Sequence, residues 1–245
     1  MKSRLLVPFV VVCLSCDEKP SAAPDAATAE AAVVPTVTAS SPPPQPKPPV
    51  VTVDDSSVVV TGDKVDFGSS GDAKGRIAAM LANKPLVVGQ TLEVDALRDV
   101  VMSHFAIAMD ALRDAKVKAV TVKTAQRDRT MGSLDVAIEH GAVSPCAAVA
   151  MVAKDNAILV WPYSGATAQR FTRGLAGPDI TVGSGGLRTL GNGCDAPVYF
   201  VAGDDTIKWG VVFDLALAAK SGGSFKPASV VVLTKTPTPG RKVTE

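Results

Sequence analysis

The feature that most constrains the fold is one order of apolar segments that occurs twice along the chain. Segments in which every second side chain is apolar predict strands, and segments with apolar side chains at i, i+3 and i+4 predict helices. In both occurrences the order is strand, strand, helix, strand, helix, strand. The first occurrence comprises a hairpin at 56–68, a helix at 72–84, a strand at 91–97, a helix at 103–115 and a strand at 118–124.

The second occurrence contains a long glycine-rich connection but keeps the same order. It comprises a hairpin at 148–162, a weak short helix at 185–192, a strand at 197–203, a helix at 208–220 and a strand at 228–235. Alternating apolar residues at 133–140 predict an additional strand between the copies. Units of about 70 to 90 residues are at the small end of the range for domains. We therefore predict an α/β (α+β) fold of two tandem two-layer domains, each roughly β-β-α-β-α-β with helices on one face of a sheet, at 56–125 and 146–236, joined by a connecting segment at 126–145.

The N-terminus has the pattern of an export signal. Lys2 and Arg4 precede an apolar run from Leu5 to Leu14, and this order of charge and hydrophobicity is typical of a signal peptide. The run is shorter than the roughly 20 residues that span a bilayer. Residues 1–16 end in Leu-Ser-Cys, which resembles a bacterial lipoprotein box with Cys16 as the lipidated residue. We expect export to the periplasm and a lipid anchor in the inner or outer membrane; an ordinary cleaved signal is the main alternative, and a retained anchor or a cytoplasmic protein is the other.

A tether is predicted between this signal and the repeated part. Residues 17–55 are rich in Ala, Pro, Thr and Ser and include SSPPPQPKPPV. Such a composition cannot bury enough apolar surface to offset chain entropy. Extended at about 3.1 Å per residue, the tether would reach on the order of 100 Å. Residues 237–245 are likewise predicted to be a disordered tail.

Cysteine usage and charge are consistent with an exported protein that is not a nucleic-acid binder. If the signal is removed and Cys16 is lipidated, Cys146 and Cys194 are the two thiols of the folded part. Two cysteines in an exported protein favour a disulfide over a metal pair or a nucleophile. Their spacing is not that of zinc ligands, so we predict no metal site. A net charge of +1 over 245 residues gives no bias toward nucleic acid.

A pair of adjacent carboxylates, Asp204 and Asp205, follows the strand at 197–203. Two carboxylates at a strand end can hold Mg²⁺ or share a proton. Adjacent residues of an extended chain point in different directions, however, and Asp is favoured in turns and at helix N-termini. We therefore predict a turn and capping role for both.

The glycines at 181–193 lack the lysine and hydroxyl of a phosphate-binding loop and are predicted to form a flexible connection.

Other residues that could carry chemistry are scattered. Ser103 and His104 are adjacent on a predicted helix and project about 100° apart, and His140 lies between the copies, so a hydrolase triad is not favoured. Trp161 and Tyr163 end a hairpin and could stack on a sugar, but aromatics at such positions more often belong to the core. We predict no catalytic residues and no cofactor.

The stretch VYFVAGDDTIKWGVVFDLALAAKSGG, with the closing strand after it, resembles the periplasmic domain of the ExbD/TolR family of biopolymer-transport proteins. In that family an apolar strand ends in Asp, an aromatic residue opens an apolar helix, and Gly leads into a closing strand. These positions fall on Asp204, Trp209 and Gly223. The first copy matches less closely, with Leu97, Met102 and Lys116 in their places.

The resemblance implies a small α/β sandwich that pairs with itself and engages envelope partners. Those partners are TonB-like or TolA-like proteins or peptidoglycan. Family members carry a transmembrane helix with a proton-carrying Asp before this domain; none is predicted here, so the ion-coupled motor function is not expected. Because the family domain forms dimers, we hypothesise that the two copies pair within one chain.

Together these patterns predict a lipid-anchored, non-enzymatic interaction module of the cell envelope. The first alternative is a lipoprotein that binds peptidoglycan or another glycan. The second is a hydrolase, which would depend on residues such as Asp204 or His104.

Lipidation of Cys16 can be tested directly by metabolic labelling. Cells grown with radiolabelled palmitate should incorporate label into this protein, and Cys16→Ala should abolish the label because no acceptor cysteine would remain at the cleavage site. Cys13→Ala should keep the label, because Cys13 leaves with the signal. Absence of label, or label that persists in Cys16→Ala, would contradict the lipoprotein prediction.

Overall fold

The computed structural model describes residues 47–68, 71–138, 143, 145–172, 174, 177–194, 197–221 and 229–244. All of them belong to one compact unit, Gln45–Glu245. The strands are β1 Val50–Val53, β2 Ser57–Val60, β3 Asp63–Asp66, β4 Thr91–Ala96, β5 Ala119–Ala125, β6 Met131–Ala137, β7 Ala148–Val152, β8 Ile158–Pro162, β9 Gln169–Phe171, β10 Val198–Gly203 and β11 Ser229–Val232. The helices are α1 Ala73–Ala82, α2 Met102–Asp114, α3 Ile180–Leu190 and α4 Trp209–Ser221. The predicted α+β class is confirmed.

All the described strands form one 11-stranded mixed sheet in the order β3-β2-β1-β4-β5-β6-β11-β10-β7-β8-β9. The two halves have the same internal topology. β1 pairs antiparallel with β2 and parallel with β4, and β4 pairs parallel with β5. β7, β8, β10 and β11 repeat these relations. β6 joins the halves, antiparallel to β5 and parallel to β11.

The repeated unit is one strand longer than the sequence prediction. Residues 50–53 were predicted to belong to the tether, but they form β1, in which Val51 and Val53 are buried. A strand of four residues directly after a proline run gives too short a pattern for periodicity to detect. The predicted hairpin at 148–162 therefore corresponds to β1 and β2, not to β2 and β3. In the second half, β9 takes the place that β3 has in the first. Both halves therefore have the order β-β-β-α-β-α-β.

The glycine-rich stretch at 181–193 was predicted to be a flexible connection that contains a weak short helix at 185–192; the helix is present and begins earlier than predicted, so the flexible connection is wrong for residues 181–184. The stretch forms most of α3, whose N-terminus is capped because the Asp179 carboxylate accepts a hydrogen bond from the Val182 N–H. The glycines allow the helix to approach the sheet closely. A Cβ at Gly183 would lie 2.6 Å from Ile158 Cδ1, and one at Gly186 would lie 2.9 Å from Phe171 Cε2.

The helices of both halves cover one face of the sheet and share one hydrophobic core. The opposite face of the second half carries a separate core that includes Trp161, Phe200 and Val243. The C-terminal segment, residues 233–244, packs there: Trp161 Nε1 donates to the Arg241 carbonyl over 2.9 Å, and the Val243 N–H donates to Tyr163 O. The prediction of a disordered tail at 237–245 is therefore wrong as far as Thr244. Two buried side chains, Leu233 and Val243, and the two hydrogen bonds to Trp161 and Tyr163 anchor this otherwise polar segment.

The corresponding face of the first half carries polar side chains. Glu93 on β4 forms an ion pair with Lys123 on β5, and Thr121 donates to Asp135 on β6. The extra strand predicted at 133–140 is present as β6.

None of the helices in the described ranges is long and apolar enough to cross a bilayer. The predicted lipidation residue Cys16, together with His140 and Gly223, lies outside the described residues.

Candidate functional site

The two halves meet where the loops after β4 and β10 lead into α2 and α4. Val101 and Lys208 form an isolated antiparallel bridge. On either side of it, the Met102 N–H donates to Ile207 O and the Trp209 N–H donates to Val100 O, both over 2.7 Å. Met102 and Trp209 are the first residues of α2 and α4. The two hydrogen bonds are therefore related by a pseudo-two-fold axis through the bridge.

A second reciprocal pair extends this junction. The Ser103 N–H donates to Asp205 O over 3.2 Å, and the Gly210 N–H donates to Arg98 O over 2.9 Å. The first N–H groups of an α-helix have no partner within the helix. Here each half provides carbonyl acceptors for the first two N–H groups of the other half's second helix.

Trp209, predicted as a family-motif position, lies at the centre of the junction. Its ring stacks on Phe105 of α2 with centroids 3.7 Å apart, and its Nε1 donates to Thr124 Oγ1 over 2.8 Å. Thr124 in turn donates to the Ala96 carbonyl. Trp209 and Thr124 are fully buried. The aromatic residue that opens α4 thus fixes this helix against β4, β5 and α2 of the first half.

An ion pair closes the junction at its edge. Arg98 donates to Asp214 of α4 over 2.9 Å and to the Ala125 carbonyl over 3.1 Å. Arg127 Nε lies 3.3 Å from the same carboxylate, whose side chain is 12% exposed. A largely buried carboxylate needs such partners, because an unpaired buried charge is costly.

Asp204 and Asp205 bond to different threonines. Asp204 Oδ1 accepts hydrogen bonds from the hydroxyl and the N–H of Thr206, at 2.8 and 3.1 Å, and these bonds, the hydroxyl's first, lower the pKa of Asp204 below its usual value. Asp205 Oδ1 accepts from Thr236 Oγ1 over 3.1 Å. Within the described ranges, no group of three or more His, Cys, Asp and Glu side chains is placed to hold a metal ion. The observed contacts of Asp204 are those of a turn.

The other candidate residues also make structural contacts. His104 stacks on Phe67 with centroids 4.3 Å apart, and its Nδ1 lies 2.9 Å from the Asp55 carbonyl. Trp161 is fully buried, and Tyr163 packs against Phe200. Cys146 and Cys194 lie at disulfide distance, with Cα atoms 6.3 Å apart, a separation that a disulfide can span.

Two grooves flank the junction at equivalent positions of the two halves. The C-terminal groove, of about 500 Å³, lies between the helices of the first half and the segment that follows β11. The central groove, of about 460 Å³, lies between the helices of the second half and the turn that follows β5. Each groove is therefore composite. The C-terminal groove is lined by Lys74, Asp110, Arg113, Asp114, residues 233–238 and residues 241–244. The central groove is lined by residues 126–128, Ile180, Asp214, Leu217, Ala218 and Ser221.

The two grooves differ in charge. In the central groove Arg127 faces Asp214, and Asp128 adds a second carboxylate, so the lining carries no surplus of cations. In the C-terminal groove the helix wall is also neutralised, by the pairs Arg113–Asp110 and Lys74–Asp114 at 2.6 and 2.8 Å. The facing wall adds three more cations, for which the described residues provide no ion pair: Lys235, Arg241 and Lys242. Sequence analysis missed this site, although the run TKTPTPGRK after the last strand carries its cations.

No protein-family model, curated protein or solved structure matches this chain. The resemblance to the ExbD/TolR periplasmic domain therefore stays a prediction.

The close approach at Gly210 can be tested by adding one methyl group. A Cβ there would lie 2.9 Å from the Arg98 carbonyl oxygen, so Gly210→Ala should push the two halves apart and destabilise the protein by about 1–3 kcal/mol. Gly185→Ala on α3 is the matched control, because its Cβ would meet only Arg188 Nη2, at 3.9 Å. The control should stabilise by up to about 1 kcal/mol through helix propensity. Denaturant unfolding measures both changes, and equal stabilisation by both substitutions would show that the junction tolerates a side chain.

The turn role of Asp204 can be tested through its titration. A carboxylate whose folded pKa is lowered stabilises the protein fully above its unfolded pKa of about 3.9, and this contribution is lost as pH falls through the lower folded pKa. Thr206→Val removes the hydroxyl donor, so the pKa of Asp204 should rise toward its usual value in a carboxyl-detected NMR titration. Thr130→Val is the control, because Thr130 makes the same two bonds to Asp128. It should shift Asp128 alone. An Asp204 pKa unchanged in Thr206→Val would contradict the assigned cause.

Proposed function

We propose that this protein is a non-enzymatic interaction module of the cell envelope, exported and held at a membrane by lipid on Cys16. The observation that carries the proposal is the reciprocal junction between the two repeats. A family domain that binds its partners as a dimer would be represented here by both halves of one chain. The proposal treats the chain as a pre-assembled pseudo-dimer.

The contacts of the polar side chains favour binding over catalysis. The carboxylates that invited a catalytic interpretation accept hydrogen bonds from Thr206 and Thr236. His104 is held by Phe67 and a backbone carbonyl. A general acid or base needs a free path to substrate and a pKa near the working pH, whereas the pKa of Asp204 is shifted downward.

The pseudo-two-fold axis within one chain affects how many partner molecules can bind. A homodimer presents equivalent surfaces twice, whereas a chain with two different halves presents two different surfaces once each. We therefore propose that one chain binds one partner molecule, of the TonB-like or TolA-like class. Peptidoglycan is the alternative ligand.

The proposal can be tested with the chain from Asp17 produced without lipid. Isothermal titration with the soluble periplasmic domains of TonB-like and TolA-like proteins from the same cells should give saturable binding at one partner per chain. Gly210→Ala should weaken this binding, because it disturbs the junction, and Gly185→Ala should leave it unchanged. Sedimentation with purified cell-wall sacculi in place of protein binding would favour the peptidoglycan alternative. A hydrolytic activity that is lost in Asp204→Asn would contradict a non-enzymatic module.

A further inference from the structure

We infer that the C-terminal groove binds an acidic peptide segment, whose carboxylates pair with Lys235, Arg241 and Lys242. The inference rests on the proposed function, since it names the chemistry of the partner that such a module would take. It concerns a single site on the chain, formed by α1 and α2 on one wall and the C-terminal segment on the other.

The volume of the groove suits a ligand larger than a simple anion. Its volume of about 500 Å³ lies within the range of about 300–1,000 Å³ found for sites that enclose a ligand with several functional groups. One wall is formed by Lys74 of α1 and the last turns of α2, and the other is a chain segment that is neither helix nor strand. Charged and hydroxyl side chains lie on these walls, so a ligand can contact the groove at several points.

The charges of the groove specify a ligand with more than one anionic group. Five cationic and two anionic side chains line it, and both anionic ones are already paired with Arg113 and Lys74 of the same wall. The three cations of the C-terminal segment are left to act on a ligand. Carboxylates form short charge-assisted hydrogen bonds with Lys and Arg, and Arg can bind one with two parallel bonds.

Backbone and hydroxyl groups of the same wall favour a peptide over a compact anion. Thr234 and Thr238 line the groove and can both donate and accept. The Lys235 N–H donates to no backbone carbonyl among the described residues. An extended peptide supplies carbonyls and N–H groups that match such a wall, in addition to its acidic side chains.

The central groove shows that the cation surplus is not a general property of this fold. It occupies the equivalent position, but Arg98 and Arg127 both point to Asp214 within it. The two halves share topology and differ in this one electrostatic respect. The difference predicts one acidic peptide per chain.

The decisive experiment measures fluorescence anisotropy of a labelled Asp/Glu-rich peptide with the full chain from Asp17. A peptide of the same length with Asn and Gln replacing the acids is the matched ligand control. The triple variant Lys235→Gln/Arg241→Gln/Lys242→Gln should lose at least tenfold in affinity, and each single substitution about twofold to fivefold, as expected for exposed charge pairs. Lys154→Gln removes an exposed cation in the turn between β7 and β8, away from both grooves, and should leave the affinity unchanged.

We expect the triple variant to fold, because the contact that docks the segment does not use the substituted side chains. Trp161 binds the backbone carbonyl of Arg241 and not its guanidinium, so the side chain can change while the segment stays docked. Far-ultraviolet circular dichroism and the unfolding midpoint should match the unmodified chain. If the triple variant unfolds, Lys235→Gln/Lys242→Gln serves instead, with an expected loss of about fourfold or more.

Several outcomes would overturn the inference. Equal binding of the acidic and amidated peptides, or an unchanged affinity in the triple variant, would do so. Competition by inorganic phosphate as strong as by the peptide would identify a small-anion site, and binding to vesicles of anionic lipid without peptide binding would identify a membrane contact. If the triple variant still binds an envelope partner, the proposed function stands and only the groove assignment fails. If the peptide binds but no envelope protein does, the proposed function fails alone.

Discussion

Four backbone hydrogen bonds between residues 98–103 and residues 205–210 hold the two halves of this protein together. They supply acceptors for the first N–H groups of α2 and α4, which would otherwise lack partners. They also set how closely the two helix starts approach, so Trp209 can stack on Phe105 and Gly210 cannot carry a side chain. Both grooves depend on the same contacts, because each combines a helix of one half with the chain that leaves the last strand of the other.

Much of the fold could be predicted from the sequence, because most elements have a clear apolar period. Helices α1, α2 and α4 and strands β4, β5 and β10 lie close to their predicted bounds. The misses have physical causes. β1 and β9 have four and three residues and show no clear alternation of apolar and polar side chains. The helix predicted at 185–192 is present as part of α3, but its first turns were missed because of the glycines that let it pack tightly on Ile158 and Phe171. The sheet order depends on contacts between distant segments, which periodicity does not encode.

The candidate site was predictable only in part. The turn role of Asp204 follows from local chemistry, since its partner Thr206 is two residues away. The motif singled out Trp209 as a position of interest. Its contacts with Phe105 and Thr124 could not be predicted, because these residues are remote from it in sequence. The C-terminal groove was missed because residues 237–245 have the composition of a disordered tail. The buried Val243 and the hydrogen bonds that join the segment to Trp161 and Tyr163 show that it is docked.

Because strand β6 joins the two copies within one chain, each copy can acquire substitutions that the other copy does not have. It lies between β5 and β11 and pairs with both, so the linker between the copies is itself part of the sheet. The halves therefore stay together at any protein concentration, as a linked pair does at high effective concentration. In a dimer of identical chains, every substitution appears on both sides of the axis. Here one side can be altered alone, and one groove can gain cations while the other groove gains none.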